Sequence, residues 1–207
     1  MRVVPNLYPA FQRQEVVIHS PRHVRTFAEL SDEEIGLVAE AWTARLDDAG
    51  AAYVHPLINE GRAAGSSLPH SHSQLVWLPE PPPAVQAERP EPIQELLSEA
   101  RAQNLLVAEE NGLAAFCHPV GRLPYEALIV PLAEATVTDG LRLLRALVAR
   151  LRSAEGEVPW NAWLHHGGTW HIELLPRLSI LAGLELGAGI YVNSLPPGQA
   201  AENLRAG

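Results

Sequence analysis

Apolar and polar residues follow a helical period in two long segments of this chain. Between residues 35 and 46 the apolar positions recur at helical spacing, and Ser31 with Glu34 forms the capping-box pattern that begins a helix. A second apolar stripe predicts a helix over about residues 138–151. A shorter C-terminal helix is expected to begin near Pro197.

Shorter apolar runs between turn-forming residues predict strands on either side of the two long helices. The order of these elements is similar in the two halves of the chain. The predicted strands are residues 16–18, 53–58, 70–78, 105–108, 114–117, 127–130, 161–164 and 170–175.

A proline-rich stretch separates the halves. Proline lacks a backbone N–H donor, so residues 81–97 are a poor candidate for a strand in a sheet. We therefore predict an N-terminal half over residues 1–80, a connection over 81–97 and a C-terminal half over 98–207. Residues 72–75 (HSQL) overlay residues 171–174 (HIEL), which indicates a weak internal repeat. The expected fold class is α+β, with each half an antiparallel sheet packed with a helix and both combined in one extended sheet.

Composition and charge narrow the possible functions. The net charge of −9 disfavours a nucleic-acid partner, which would need clustered basic residues. All 15 basic residues are arginine, so mechanisms that need a lysine amine are excluded. A single cysteine, Cys117, excludes an intramolecular disulfide. No apolar run is long enough to cross a bilayer and no leader pattern is present, so we expect a cytoplasmic protein that does not bind membranes.

The strongest chemical signal is a histidine-rich segment behind a glycine-containing turn, residues 65–74 (GSSLPHSHSQ). If these residues begin a strand, His70, His72 and Gln74 project from one face, about 6–7 Å apart between alternate positions. A neutral imidazole can attack phosphorus directly. The Gln74 amide, the Ser67 hydroxyl and the backbone N–H groups freed by Gly65 would stabilise the transferring phosphoryl group. The pattern favours phosphoryl or nucleotidyl transfer with His72 as the nucleophile.

Simpler interpretations exist for the same residues. Two histidines separated by one residue also occur at solvated strand edges and as half of a metal site. Asn59, Gly61 and Ser67 are ordinary turn-forming residues. The glycine, serine and glutamine neighbours of the histidine pair favour the nucleophile interpretation.

The pattern G-x-S-x-P-H-x-H-x-Q at residues 65–74, preceded by N-x-G at residues 59–61, resembles the active-site signature of galactose-1-phosphate uridylyltransferases. These enzymes are members of the histidine-triad superfamily. Residues 3–10, 20–23, 170–178 and 182–189 agree, so the resemblance covers nearly the whole chain.

This resemblance implies two histidine-triad-like halves and a ping-pong nucleotidyltransferase. His72 would carry the nucleotidyl group, and Gln74 would hold a phosphate oxygen. Asn59 and Ser67 would contact the nucleotide and its phosphates, and the segment containing Glu185 would lie near the sugar or phosphate end of the substrate. The implied substrates are a nucleotide sugar and a sugar 1-phosphate, and the implied assembly is a homodimer with active sites at or near its interface.

Another cluster of residues in the second half has the composition of a metal site. His165, His171 and Glu173 supply two imidazoles and a carboxylate, a ligand set suited to zinc or iron. The alternative is an ordinary strand with a polar face. The family resemblance favours a metal and adds Glu88 as a further ligand.

The resemblance also implies a zinc site that combines a Cys-x-x-Cys pair with His23 and His70. Since the sequence contains only one cysteine, we expect this site to be incomplete.

Three functions follow from these patterns. The first is a nucleotidyltransferase, or a related phosphorylase that acts on dinucleotides or ADP-sugars. The second is a histidine-triad hydrolase, in which water resolves the intermediate. The third is a catalytically inactive nucleotide-binding protein.

Overall fold

The computed structural model describes residues 1–46, 48, 50–87 and 90–207, without the side chains of residues 90–92. Within these residues nine strands form one antiparallel sheet in the order β1-β2-β4-β3-β8-β9-β7-β6-β5. The strands are β1 (Arg2–Pro5), β2 (Gln14–Ile18), β3 (Tyr53–Glu60), β4 (His72–Leu78), β5 (Leu106–Glu110), β6 (Leu113–Cys117), β7 (Ala127–Pro131), β8 (Trp160–His165) and β9 (His171–Pro176).

Helices pack against this sheet. They are α1 (Asp32–Leu46), α2 (Pro83–Ala87), α3 (Pro90–Ala102), α4 (Val137–Glu155), α5 (Gly183–Ala188) and α6 (Pro197–Ala206), with short 3-10 helices at Phe27–Glu29 and Arg62–Ala64. The capping box predicted for α1 is confirmed, because Ser31 N–H donates to Glu34 Oε2 at 2.9 Å and Glu34 N–H donates to Ser31 Oγ at 3.2 Å. No helix in the described part of the chain is long and apolar enough to cross a membrane.

The sheet repeats one arrangement about its centre. In each half a strand precedes the long helix and two strands follow it, giving β2-α1-β3-β4 and β7-α4-β8-β9. Strands β3 and β8 pair at the centre, and a histidine begins the next strand on either side, His72 in β4 and His171 in β9. The predicted α+β fold with one extended antiparallel sheet is confirmed.

Helix α1 defines the two faces of β4. The indole Nε1 of Trp42 in α1 donates to Ser73 Oγ at 2.9 Å, so Ser73 faces the helices. Because neighbouring side chains of a strand point to opposite faces, His72 and Gln74 project from the other face. The helices therefore pack against the face of β4 that carries Ser73, and the opposite face presents His72 and Gln74.

His70 differs from the prediction. Strand β4 begins at His72, so His70 precedes the strand and does not continue the row of His72 and Gln74. Its ring faces the segment between β2 and α1, and Nε2 lies 2.8 Å from the carbonyl oxygen of Arg22 in that segment.

The proline-rich stretch contains more regular structure than we expected. Helix α2 and the first part of α3 fall within residues 81–97. Pro90 begins α3, where the missing N–H costs nothing because the first turn of a helix has no partner for it. The division of the chain into halves at this segment stays a prediction.

Candidate active site

A cavity of about 560 Å³ lies beside the start of β4. It is formed where the end of β3, the following glycine-containing loop and the beginning of β4 meet. Four residues of the predicted site line it, namely Asn59, Ser67, His70 and His72. The structure thus brings together residues that we selected from the sequence motif.

A hydrogen bond defines the tautomer of the His72 ring. The residue is 6 % exposed, and its Nδ1 lies 2.8 Å from the carbonyl oxygen of His70. A carbonyl oxygen only accepts hydrogen bonds, so Nδ1 carries the proton and donates. In the neutral ring the lone pair is therefore on Nε2, which is the nitrogen able to attack phosphorus.

Gln74 lies two residues further along β4, on the same strand face as His72. It is partly exposed and does not line the cavity described above. Gln14 of the adjacent strand β2 donates from Nε2 to Gln74 Oε1. Gln14 could not be selected from the sequence, since nothing in its own neighbourhood indicates which strand would lie beside β2.

The loop before His72 depends on glycine at two positions. Gly61 has a φ of +84°, and a Cβ atom there would lie 2.9 Å from Cβ of Pro159. Gly65 has a φ of +89° in the left-handed region, which favours glycine. Ser66 Oγ donates to the carbonyl oxygen of Leu68 at 2.9 Å. Ser67 is left exposed toward the cavity.

A partly buried carboxylate, that of Glu60, closes one side of the cavity. Glu60 accepts hydrogen bonds from Phe27 N–H at 2.7 Å, from Thr26 Oγ1 at 2.6 Å and from Trp160 Nε1 at 3.1 Å. Burial raises the pKa of Glu60, and the hydrogen bonds act in the opposite direction. These bonds tie the end of β3 to the 3-10 helix Phe27–Glu29 and to β8.

Basic side chains also reach the cavity. Arg25, Arg62 and Arg152 line it, together with the acidic residues Glu29 and Glu157. We did not select these arginines from the sequence, because they come from three separate elements.

The predicted zinc ligands His23 and His70 are neighbours. Their ring centroids lie 6.1 Å apart, and His23 is exposed. In the described part of the chain they do not belong to any group of three or more possible metal-binding side chains. Their role in metal binding stays a prediction.

The second predicted metal cluster is assembled by the pairing of β8 with β9. His165 and His171 are direct partners across this pair, and one donor atom each of His165, His171 and Glu173 lies within 4.8 Å of the others. Burial lowers the pKa of His165 to about 4, with smaller effects from His166 and Arg122, so its ring is neutral at pH 7. Three such donors fit a divalent zinc or iron ion.

Two further residues, Arg122 and His55, lie beside this cluster. Arg122 of the loop before β7 forms an ion pair with Oε1 of Glu173. His55, which we left unassigned, lies 5.9 Å from His165 between ring centroids, and its Nδ1 is buried without a hydrogen-bond partner among the described residues. Glu88 lies outside the described residues.

Glu185 lies on α5 and does not line the cavity. Its carboxylate accepts a hydrogen bond from Ala182 N–H at 2.9 Å at the start of this helix, and this bond is the main reason that the pKa of Glu185 is lowered. A substrate contact by Glu185 stays a prediction.

Comparison with known proteins adds a family match and several relatives. A sequence profile for the N-terminal domain of galactose-1-phosphate uridyl transferase matches residues 9–176. An ADP-glucose phosphorylase from Arabidopsis thaliana is 24% identical over 99% of this chain and 74% of its own length. A galactose-1-phosphate uridylyltransferase from Thermotoga maritima is 23% identical over 92% of this chain and 73% of its own length.

Solved structures show the same fold. The Arabidopsis thaliana ADP-glucose phosphorylase with bound ADP-glucose superposes with a TM-score of 0.88 at 24% identity, covering 99% of this chain and 81% of that one. A uridylyltransferase structure gives a TM-score of 0.82 at 23% identity, covering 99% and 83%.

Proposed function

Since the chain belongs to the galactose-1-phosphate uridyl transferase family, we propose that it transfers a nucleotidyl group from a nucleoside diphosphate sugar through a covalent bond to His72. The observation that carries this proposal is the hydrogen bond from His72 Nδ1 to the carbonyl oxygen of His70. It fixes the tautomer in which Nε2 is the nucleophile, and the residue is only 6 % exposed to solvent.

The reaction has two displacement steps. In the first, the lone pair of His72 Nε2 forms a bond to the α-phosphorus, and the bond from that phosphorus to the bridging oxygen breaks to release a sugar 1-phosphate. In the second, a phosphate oxygen of the acceptor bonds to the same phosphorus and the N–P bond breaks, which restores the imidazole. Throughout, the His70 carbonyl stabilises the positive charge that develops on the ring.

Neutral hydrogen-bond donors assist this transfer. We assign the Gln74 amide and the Ser67 hydroxyl to the phosphate oxygens and Asn59 to the nucleotide. In the loop, Gly61 lines the cavity, and Gly65 four residues later would free backbone N–H groups for the phosphate. Such donors stabilise charge that spreads over the non-bridging oxygens in the transition state.

The acceptor distinguishes two candidate reactions. A sugar 1-phosphate as acceptor makes the protein a uridylyltransferase-like enzyme, as suggested by the family match and by the Thermotoga maritima relative. Inorganic phosphate as acceptor makes it a phosphorylase, and the Arabidopsis thaliana ADP-glucose phosphorylase, similar over 99% of this chain, favours this second reaction.

A divalent ion would be held by His165, His171 and Glu173. When bound, the ion would bridge side chains of β8 and β9 through its positive charge. The Arg122–Glu173 ion pair would then orient the carboxylate.

We also propose that two copies of the chain form a homodimer. The segment after β9 exposes a series of apolar side chains, which are Leu178, Ile180, Leu184, Leu186, Ile190, Tyr191 and Val192. Apolar patches of this kind mark interaction sites. Sedimentation velocity of the purified chain should give the mass of a dimer, and a monomer at micromolar concentration would contradict this assembly.

Trapping of the intermediate tests the catalytic proposal. The protein is incubated with UDP-glucose or ADP-glucose labelled at the α-phosphorus and quenched under denaturing conditions. We expect label on the wild-type chain and none on His72→Asn, whose amide retains a donor for the His70 carbonyl but lacks the nucleophile. His118→Asn is the matched control and should be labelled like the wild type.

Resolution of the adduct then identifies the reaction. Release of label by galactose 1-phosphate indicates a transferase, release by phosphate indicates a phosphorylase, and release in buffer alone indicates a hydrolase. Binding of nucleotide sugar without adduct or turnover would overturn the proposal in favour of a catalytically inactive binding protein.

A further inference from the structure

Gln14 contacts the active-site strand through its side chain, although the proposed reaction assigns it no role. It lies in β2 and is 8% exposed, and its Nε2 donates to Oε1 of Gln74 in β4. The register pairs Gln74 with Val16, two residues beyond Gln14. The two glutamines are therefore diagonal neighbours on one face of the sheet, within reach of each other.

A backbone donor fixes the orientation of the Gln14 amide. The N–H of Ala10 lies 2.8 Å from Oε1 of Gln14. A backbone N–H can only donate, so the side-chain atom that faces it must be the amide oxygen. The amide nitrogen of Gln14 is then the atom that faces Gln74.

The orientation of Gln74 follows from that of Gln14. Because Gln14 presents an N–H donor, Gln74 must direct its oxygen toward Gln14. The NH₂ group of Gln74 is left available to donate a hydrogen bond, and among the described residues no acceptor is bonded to it. His72 lies on the same face of β4, so this donor is offered on the side of the sheet that carries the nucleophile.

We propose that Gln14 is a positioning residue that holds the Gln74 amide with its NH₂ group available to a phosphate oxygen of the substrate. The inference rests on the proposed function, because it assumes that Gln74 contacts a phosphate. A phosphate oxygen accepts hydrogen bonds, and the reversed amide would place a carbonyl oxygen against it. The two orientations have nearly the same shape, so a neighbour of fixed polarity is needed to select one.

The substitution Gln14→Glu reverses this polarity at almost constant volume. A carboxylate oxygen then faces Gln74, which turns its NH₂ group toward Glu and its carbonyl oxygen toward the substrate. We expect kcat for nucleotidyl transfer to fall by about 10²-fold, the effect of losing one donor to a developing oxyanion, with a smaller change in KM. Gln14→Met is neutral and leaves the Gln74 amide free to turn, so its loss should be smaller.

A matched control and a second background separate positioning from other effects. Gln12→Glu adds the same charge two residues away at an exposed position and should retain wild-type kcat. In a Gln74→Ala background, Gln14→Glu should cause no further loss, since the group through which it acts is gone. Thermal unfolding of each variant shows whether it is folded.

Two results would overturn the inference. One is an unchanged kcat in Gln14→Glu, and the other is a full loss in the Gln74→Ala background, which would mean that the new charge repels the substrate directly. Failure of the proposed function gives a different result, because the wild-type chain would then form no adduct. In that case the affinity for ADP, measured by calorimetry, replaces kcat. Gln14→Glu should weaken ADP binding only when Gln74 is present. Equal ADP affinities of the wild type and Gln14→Glu would reject the positioning role.

Discussion

Asn161 donates a hydrogen bond from Nδ2 to Oδ1 of Asn59 at 2.7 Å, across the pair β3–β8 at the centre of the sheet. The same amide lies 2.8 Å from the carbonyl oxygen of Ala64, in the loop that leads to His72. One side chain of the second half therefore supports both a predicted nucleotide contact and the loop beside the nucleophile.

Replacement of Asn161 by alanine should impair catalysis more than folding. Loss of these two hydrogen bonds releases Asn59 and the loop, and kcat/KM should fall roughly tenfold, since tenfold corresponds to about 1.4 kcal/mol and each bond contributes about 0.5–1.5 kcal/mol. Asn193→Ala is the matched control, since it removes similar bonds to the carbonyl oxygens of Gly121 and Leu123 away from the cavity. Steady-state kinetics with a nucleotide sugar decide the question, and equal kcat/KM values in both variants would contradict the supporting role.

Alanine at two glycines should change stability in opposite directions. Gly61→Ala combines a positive φ with a 2.9 Å contact to Pro159, so the free energy of unfolding should fall by about 1–3 kcal/mol. Gly36→Ala places a methyl group in open space on α1 and should raise it by about 0.5–1 kcal/mol. Urea unfolding measures both, and a stabilised Gly61→Ala variant would be inconsistent with the described loop.

The buried ring of His19 should make stability depend on pH. Its Nδ1 lies 2.9 Å from Ser71 Oγ, and burial, followed by the charges of His72 and His70, lowers its pKa to about 3. Below about pH 6.5 the unfolded chain takes up a proton that the folded ring refuses, so stability is lost as the pH falls toward 3.

The size of this effect can be measured with a variant that does not titrate. His19→Asn keeps a polar atom near Ser71, and between pH 7 and pH 5 it should lose about 2 kcal/mol less stability than the wild type. Urea unfolding at the two pH values provides the comparison. Parallel losses in both proteins would show that His19 does not contribute.

Metal content tests the cluster on β8 and β9. After equilibration with zinc and removal of unbound ions, we expect the wild-type chain to retain metal and His171→Asn to bind it at least tenfold more weakly, because one of three close donors is lost. His118→Asn changes a histidine outside the cluster and should bind like the wild type. Mass spectrometry of bound metal and a chelator competition give the values, and equal binding by all three proteins would exclude the cluster as the site.

Local sequence patterns were sufficient for much of the fold. Ser31 and Glu34 define the start of α1 because a capping box needs only residues three positions apart. The apolar periodicity of α4 and the repeated order of strands and helices likewise predicted the extended antiparallel sheet. Helix α3 was missed because its first turn contains two prolines, which we interpreted as a connection.

The site was determined in part by sequence and in part by tertiary structure. The motif alone selected His72, Gln74 and the loop around Ser67, since their spacing along one chain segment carries the chemistry. Strand register decided the rest: it placed Gln14 against Gln74, 60 positions away, and Asn161 against Asn59, 102 positions away. A hydrogen bond between distant strands depends on which strands are neighbours and which residues face each other, and no local pattern specifies either.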